Sequence, residues 1–228
     1  MSDKVDYAIQ DCEQLELTVN NNLAAMKKKG FTDERLAELT TAKQTVVQKN
    51  SAQQNAMKLV ELKTAEQNKA METTSKIIQK IRDSSKAAYD TNDPKLKLFK
   101  IGEQMPTSVK KMRSLCEYLA PVVLEYTDIL LQNGLEQADI DLFHSASGTL
   151  IAADTTQENS KKLQKSATIT VSQEYANLTK VMAKTRAFAK TCFAESPEIL
   201  VQFKPIPKGG GGNNNNPPQE PPQNPPSA

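Results

Sequence analysis

The residue types that most often carry catalysis or bind metals are scarce in this chain. It has one histidine, His144, and three cysteines, Cys12, Cys116 and Cys192. A zinc site needs clustered Cys and His ligands, and a di-iron bundle needs Glu-x-x-His pairs that face inward. Nucleophilic catalysis needs a nucleophile, a base and an orienting group in one cleft. The sequence shows no such set, so we expect no metal site, no cofactor and no enzymatic activity.

The cysteines have a structural interpretation instead. Cys12 and Cys116 fall on the apolar seams of helical patterns, and an odd number of thiols argues against a disulfide framework. Glu13 and Glu117 follow them and could form a paired-carboxylate site, although we favour two solvated helix flanks. The N-terminal residues lack the apolar core of a secretory signal. Buried, reduced thiols and no export signal together predict a cytoplasmic protein.

Six basic residues near the ends of two long helical patterns form the main charged feature. Basic residues in the last turns of a helix complement its dipole, which is the simpler explanation. The functional alternative is a doubled anion-binding surface for an acidic partner, phospholipid headgroups or nucleic acid, without the aromatic platforms that bind single strands. The candidate residues are Lys80, Arg82, Lys86, Lys184, Arg186 and Lys190.

The C-terminal segment 208–228 is the second candidate for recognition. It begins with a Gly and Asn spacer, after which Pro-Pro pairs recur every four residues. Such a composition cannot bury a core, so it predicts a disordered segment with polyproline II character. It is either a docking ligand for an aromatic-lined groove or an inert tether. The candidate docking residues are Pro217, Pro218, Pro221, Pro222, Pro225 and Pro226.

The elements that must position these residues occur twice. When the sequence is displaced by 104 residues it aligns with itself without a gap, so that Gly30 falls on Gly134. Other pairs keep the same offset, including Arg82 with Arg186 and Phe99 with Phe203. Internal self-similarity of this kind indicates a repeated architecture. We therefore predict one helical-hairpin repeat over residues 1–103, a second over 104–207 that packs with the first, and a tail over 208–228.

Each repeat is predicted to contain a short helix, a glycine-marked turn, a long helix and an extended strip that ends in Phe-Lys. The short helix of the first repeat is expected over about 3–29 and its long helix over about 31–93; the second long helix is expected over about 136–194. Gly30 and Gly134 should close the short helices in the left-handed conformation, and Pro94 and Pro197 should stop the long ones. Pro121 predicts a kink. The fold class is all-α, an elongated four-helix bundle or coiled-coil rod.

The heptad seam of the long helices is apolar at both ends and polar in the middle. Gln53 with Gln157, and Thr64 with Thr168, occupy matched positions that should face the seam. Polar residues at such positions lower stability but can specify register and partner number. One alternative is that the middle is simply solvated, because the short helices do not reach it. Another is that these four side chains line a pocket for a small molecule.

Composition narrows the class of function. The chain has 29 basic and 27 acidic residues and a net charge of +2, without the basic excess of a nucleic-acid binder. A hydrophobic content of 38% and a mean hydropathy of −0.56 suit thin helical packing. We predict a structural or scaffold protein that associates through its helices with a protein partner or with a second copy. The alternative, a membrane-associating or pore-forming-like protein using segment 119–131 and the basic helix ends, is disfavoured by the acids in that segment.

Overall fold

The computed structural model describes residues 2–207, without the side chain of Ser2, and every regular element in that range is helical. The predicted all-α class is therefore confirmed, whereas the predictions for the tail at 208–228 lie outside the described residues. The α-helices are α1 (Ser2–Asn21), α2 (Leu23–Lys28), α3 (Asp33–Ala88), α4 (Val109–Glu125), α5 (Thr127–Gln132), α6 (Gln137–Cys192) and α7 (Pro197–Leu200). Two 3₁₀ turns follow α3 and α7, at Pro94–Lys97 and Val201–Phe203.

Most of the boundaries of the main helices in the two halves differ by the same 104 residues as the sequence. The two ends of α2 match those of α5, and the two ends of α3 match those of α6. Each predicted short helix is in fact two helices, interrupted at Asn22 and at the matched Tyr126. The Asn22 N–H is shared between the carbonyls of Thr18 and Val19, at 3.2 Å each, which loosens the helical ladder. Pro121 lies inside α4, and the interruption comes five residues later.

Glycine ends the paired short helices in both halves, as predicted. Gly30 has a φ of +93° and Gly134 a φ of +99°, both in the left-handed region that favours glycine. The Gly30 N–H donates to the Lys27 carbonyl, and the Phe31 N–H donates to the Met26 carbonyl, at 3.0 Å each. These bonds satisfy carbonyls at the end of α2 and turn the chain into α3.

The long helices end earlier than predicted, and the strips after them are helical turns. α3 ends at Ala88 and α6 at Cys192, before the prolines that were expected to stop them. Pro94 and Pro197 instead begin the next short helix, where a fixed φ and a missing N–H are tolerated. The prediction of an extended strip ending in Phe99-Lys100 is therefore wrong, because the segment contains a 3₁₀ turn.

The chain divides into two compact units whose boundaries fall inside the long helices. Unit 1 comprises Met1–Val46 with Tyr175–Ala228, and unit 2 comprises Val47–Glu174. Each unit thus combines its own short helices with one part of α3 and one part of α6. The division at residues 103 and 104 follows the sequence repeat rather than these packing units, and it stays a prediction about the repeat.

The core of unit 2 contains much of the apolar segment 119–131. Leu119, Val123 and Leu130 are fully buried, packed with the second part of α3 and the start of α6. α4 begins at a capped turn, in which the Ser108 hydroxyl oxygen accepts a hydrogen bond from the Lys111 N–H at 3.4 Å. Heptad spacing explains why one face of α4 enters this core. The apolar character of this segment therefore serves the packing of unit 2.

Candidate functional site

The polar seam predicted in the middle of the long helices is present within unit 2. The Gln53 side-chain amide donates to the Thr168 hydroxyl oxygen at 2.9 Å, and the Gln157 amide donates to the Thr64 hydroxyl oxygen at 3.4 Å. Both glutamines are buried and both threonines are half-buried. The two bonds join residues matched by the repeat, so each is the mirror of the other. Because α3 residue numbers rise as α6 numbers fall, the helices are antiparallel here.

Each threonine of the seam satisfies its hydroxyl in two directions. Thr168 donates to the Gln164 carbonyl at 2.9 Å, and Thr64 donates to the Val60 carbonyl at 2.8 Å, while their oxygens accept from the glutamines. A hydroxyl has one proton to donate and two lone pairs to accept, so each threonine both donates and accepts a hydrogen bond here. The geometry favours the interpretation that the polar residues specify register. The same side chains bond to one another across the seam, an arrangement that supports packing rather than a ligand pocket.

A third polar contact on the seam breaks the mirror symmetry. The Gln67 amide donates to an Asp154 carboxylate oxygen at 2.7 Å. The residues matched to them by the repeat are Val171 and Asn50, which cannot form the same pair. The heptad spacing of Gln53 and Thr64 continues to Gln67, whereas Asp154 lies outside the positions predicted for the seam. The available signal was its position, since Asp154 lies four residues after the seam residue Leu150.

Large apolar side chains remain exposed in the stretch between the mirrored pairs. Met57 has a seam position yet is 39% exposed, whereas Ile78 and Val171 on the same heptad pattern are fully buried. Leu62 and Leu163 lie in the same stretch and are 62% and 58% exposed. We call residues 57–62 of α3 and 163–169 of α6 the open seam. It is one part of the long helices where apolar surface is available to a partner.

The two arginines of the basic set form internal hydrogen bonds. The Arg82 Nε–H donates to the Phe99 carbonyl at 3.3 Å, and the Arg186 Nε–H donates to the Phe203 carbonyl at 2.8 Å, each 17 residues further along. Arg82 also donates to the Glu103 carbonyl at 3.0 Å, and burial lowers the pKa of its guanidinium. Each arginine therefore fastens the segment after a long helix back onto that helix. The repeated spacing from Arg to Phe was the signal that sequence reasoning did not use.

Arg186 makes one contact that Arg82 lacks. Its Nη2 atom lies 2.8 Å from an Asp11 carboxylate oxygen, which also accepts a hydrogen bond from the Ile206 N–H at 3.0 Å. Asp11 is buried on α1. The Asp11 carboxylate thus binds both the Arg186 side chain and the backbone of Ile206, which follows the second 3₁₀ turn. The position matched to Asp11 in the second repeat is Leu115, so unit 2 lacks this ion pair.

The four lysines of the basic set lie in separate settings. Lys80 pairs with Asp139 at 2.7 Å, Lys86 pairs with Asp83 at 3.2 Å, and Lys190 is exposed. The hydrogen bond from Lys80 lowers the pKa of Asp139, and the same bond raises the pKa of Lys80. The fourth, Lys184, lies 3.9 Å from a Glu38 carboxylate oxygen. Anion binding stays a prediction for these lysines, and the arginines have the internal roles described above.

The cysteines are free thiols, two of them deeply placed. Burial raises the pKa of Cys12 to about 12 and that of Cys116 to about 11, whereas Cys192 is half-buried. Across residues 2–207 no group of three or more His, Cys, Asp or Glu side chains is placed to hold a metal ion. Within the same range no helix combines the length and the apolar character needed to cross a membrane.

Comparison of the chain with protein-family models, with curated proteins and with solved structures finds no match. The class that the fold defines is therefore the broad one, an all-α protein built from two helical units. A fold of this breadth carries no function by itself, so the functional information lies in the surfaces of the two units.

Proposed function

We propose that the protein is a non-enzymatic scaffold that binds its partner by helix-to-helix contact along the open seam. The observation that carries the proposal is the exposure of Met57, Leu62 and Leu163 between two mirrored polar pairs. Full burial of one large apolar side chain stabilises a complex by about 1.5–3 kcal/mol. Successive helical residues are rotated by about 100°, so Leu62 lies on the side of α3 opposite Gln53 and Thr64, and a partner helix would bury these side chains on the outer faces of the long helices rather than between them.

The charges beside the open seam favour a protein partner over an anionic one. Lys63 pairs with Glu66, and Lys161 pairs with Glu158, at 2.8 Å each. Both signs alternate along the exposed faces, so the surface does not offer the continuous positive charge that lipid headgroups or nucleic acid require. A second copy of the chain carries the same mixed pattern and is the partner that we propose. We place this scaffold in the cytoplasm, with the tail as its tether or docking ligand.

We also propose that the seam is an antiparallel coiled coil that arose by internal duplication, within the four-helix arrangement predicted from the sequence. Two observations support the proposal. The boundaries of α2 and α5, and of α3 and α6, share one offset, and the polar contacts Gln53 to Thr168 and Gln157 to Thr64 are mirror images. Contacts of this isologous kind are typical of two-fold symmetric association.

Light scattering on a sizing column at two protein concentrations tests the scaffold proposal. We expect the fraction of dimer to increase with protein concentration. The double variant Leu62→Glu with Leu163→Glu should abolish the dimer, because it places charge on the open seam. Leu124→Glu is the matched control, because Leu124 is 70% exposed but lies on α4, away from this stretch. A chain that stays monomeric at both concentrations, or an association that all variants retain, contradicts the proposal.

The membrane-associating alternative has no separate observation in its favour. Its apolar element, segment 119–131, places Leu119, Val123 and Leu130 in the core of unit 2. Exposing them would require that core to open. Flotation with anionic liposomes separates the two functions, since a scaffold is expected to remain in the soluble fraction.

A further inference from the structure

A groove in unit 1 has a composition that the open seam does not share. It lies between the start of α3 and the end of α6 and has a volume of about 480 Å³. The rings of Phe31 and Phe188 meet in it with centroids 5.3 Å apart. The Arg35 guanidinium lies 5.0 Å from the centroid of the Phe188 ring. We call this pair of rings, which are tilted by 55° to each other, the aromatic floor; with a cation over one ring it suits a ligand that combines apolar surface with negative charge.

The charges of this groove leave a positive excess. Lys184 lies 3.9 Å from the Glu38 carboxylate, at the limit of an ion pair. Arg35 is exposed, and within residues 2–207 the structure shows no carboxylate paired with it. Its contact with the Phe188 ring keeps the guanidinium at the groove, where its N–H groups can donate to an acceptor. The groove therefore offers one pre-positioned cation to an incoming carboxylate.

At the positions of unit 2 that match Arg35 and Phe188, the side chains are buried and leave neither an aromatic ring nor an available cation at the surface. Asp139 stands where unit 1 has Arg35, and it is buried and bonded to Lys80 at 2.7 Å. Ser84 stands where unit 1 has Phe188, and it is also buried. At these matched positions the aromatic pair and the available cation thus occur in unit 1 alone among the described residues. A difference that replaces both partners of one contact indicates that unit 1 has a role that unit 2 lacks.

We propose that this groove binds segment 217–222 of the same chain, Pro-Pro-Gln-Glu-Pro-Pro. The proline pairs pack against Phe188, and the Glu220 carboxylate accepts hydrogen bonds from Arg35. Proline-rich peptides bind aromatic-lined grooves because their extended conformation is formed before binding and little entropy is lost. Glu220 is the single acidic side chain in the tail after Lys208, and proline pairs flank it on both sides. The contact goes beyond the scaffold function, since it uses another unit and another segment.

The path of the chain permits this contact. The described residues end in unit 1, where the Ile206 N–H donates to Asp11 on α1 at 3.0 Å. Twelve residues lie between Pro207 and Glu220, and nine of them form the Lys, Gly and Asn spacer, so the mean span is roughly 20 Å at about 5–6 Å × √n and the fully extended span is roughly 45 Å at about 3.3–3.6 Å per residue. By comparison, the 20 residues of α1 span roughly 30 Å at a rise of about 1.5 Å. A tethered segment also has an effective concentration on the order of millimolar, so weak intrinsic affinity is sufficient.

A charge exchange in the full chain tests the proposal. The readout is the ¹H–¹⁵N heteronuclear NOE of the Glu220 amide and its neighbours, which reports whether this segment is held. We expect a held segment in the natural chain and a released one in Arg35→Glu and in Glu220→Arg. The double variant Arg35→Glu with Glu220→Arg should hold the segment again, because the ion pair is restored with reversed polarity. A segment that is free in the natural chain, or that neither single variant releases, overturns the proposal.

Two further variants locate the contact. Arg35→Asp with Phe188→Ser gives unit 1 the residues that unit 2 has at the matched positions, so it should fold while releasing the segment. Tyr118→Ser is the control, because Tyr118 is an exposed aromatic residue beneath Lys100, with 4.7 Å from the Lys100 Nζ atom to the ring centroid, and it lies in unit 2. It should leave the segment held. Release by the control alone, or NOE values that fall on tenfold dilution because a second copy supplies the segment, overturns the intramolecular contact.

Discussion

Replacing glutamine by leucine at three places on one seam should change stability with different signs. At Gln53 the substitution removes one neutral hydrogen bond, which contributes about 1 kcal/mol. The Thr168 hydroxyl keeps its own bond to the Gln164 carbonyl, so little is left unsatisfied on the partner side. Two methyl groups in place of the buried carboxamide stabilise the seam by about 1.6 kcal/mol, at about 0.8 per group. Gln53→Leu is therefore expected to raise the free energy of unfolding by about 0.5 kcal/mol.

Gln157→Leu should stabilise the protein more than Gln53→Leu. Its amide bond to Thr64 is longer, 3.4 Å against 2.9 Å, and its carbonyl oxygen is buried without a hydrogen-bond partner in the described range. An unsatisfied buried carbonyl costs about 1–3 kcal/mol, and the substitution removes that cost. We expect a gain of about 1–2 kcal/mol in the free energy of unfolding.

Gln67→Leu should have the opposite effect. Its amide donates at 2.7 Å to the Asp154 carboxylate, and a hydrogen bond to a charged group contributes about 1.5–3 kcal/mol when buried. Both residues are half-buried, so water compensates in part and we expect a loss of about 1 kcal/mol. Urea unfolding followed by circular dichroism measures all three variants. Destabilisation by Gln53→Leu and Gln157→Leu of more than about 1 kcal/mol each would refute the reasoning.

Three other outcomes follow from single residues. Gly134→Ala should destabilise the protein by about 1–2 kcal/mol, because the φ of +99° at this position is left-handed. Gly148→Ala inside α6 should stabilise it by about 0.5–1 kcal/mol, because the added methyl group meets no atom within 4 Å. Equal thermal midpoints for the two variants would contradict this prediction. With the pKa of Cys12 raised to about 12 by burial, a thiol reagent at pH 8 should label Cys192 in the native protein and Cys12 only after unfolding, and rapid native labelling of Cys12 contradicts it. The hydrogen bond from Lys80 lowers the pKa of Asp139 from its ordinary 3.8, so the stability that this carboxylate contributes is present above that pH and is lost as the pH falls. Asp139→Asn should therefore make stability less dependent on pH in the acid range. An unchanged pH dependence would count against the ion pair.

Features that depend on local backbone chemistry could be predicted from the sequence. The left-handed glycines and the apolar heptad positions follow from residues whose conformational preferences act over one or two turns. The polar positions of the seam also followed from spacing alone. What failed was the assignment of the prolines as helix ends. Pro94 and Pro197 favour a helix start as strongly as a helix end, and the choice depends on packing that no local pattern encodes.

Features that depend on contacts between distant residues could not be predicted. The six basic residues are alike in the sequence pattern, because spacing indicates which helix face a residue shares but not what covers that face. Arg82 and Arg186 reach carbonyls beyond their own helix, and the Asp11 partner of Arg186 is 175 residues away. The groove around Phe188 could not be predicted from the sequence either, because its two sides come from segments about 150 residues apart.

The antiparallel pairing of α3 with α6 also constrains how this sequence can change in length. Both helices contain 56 residues, and in unit 2 the bonds from Gln53 and Gln157 fix which residue meets which. One residue inserted into either helix would rotate all that follows by about 100° and take the seam residues out of register. An insertion would therefore survive only with a compensating change in the other helix. The offset of 104 residues between the ends of α3 and those of α6 agrees with that constraint.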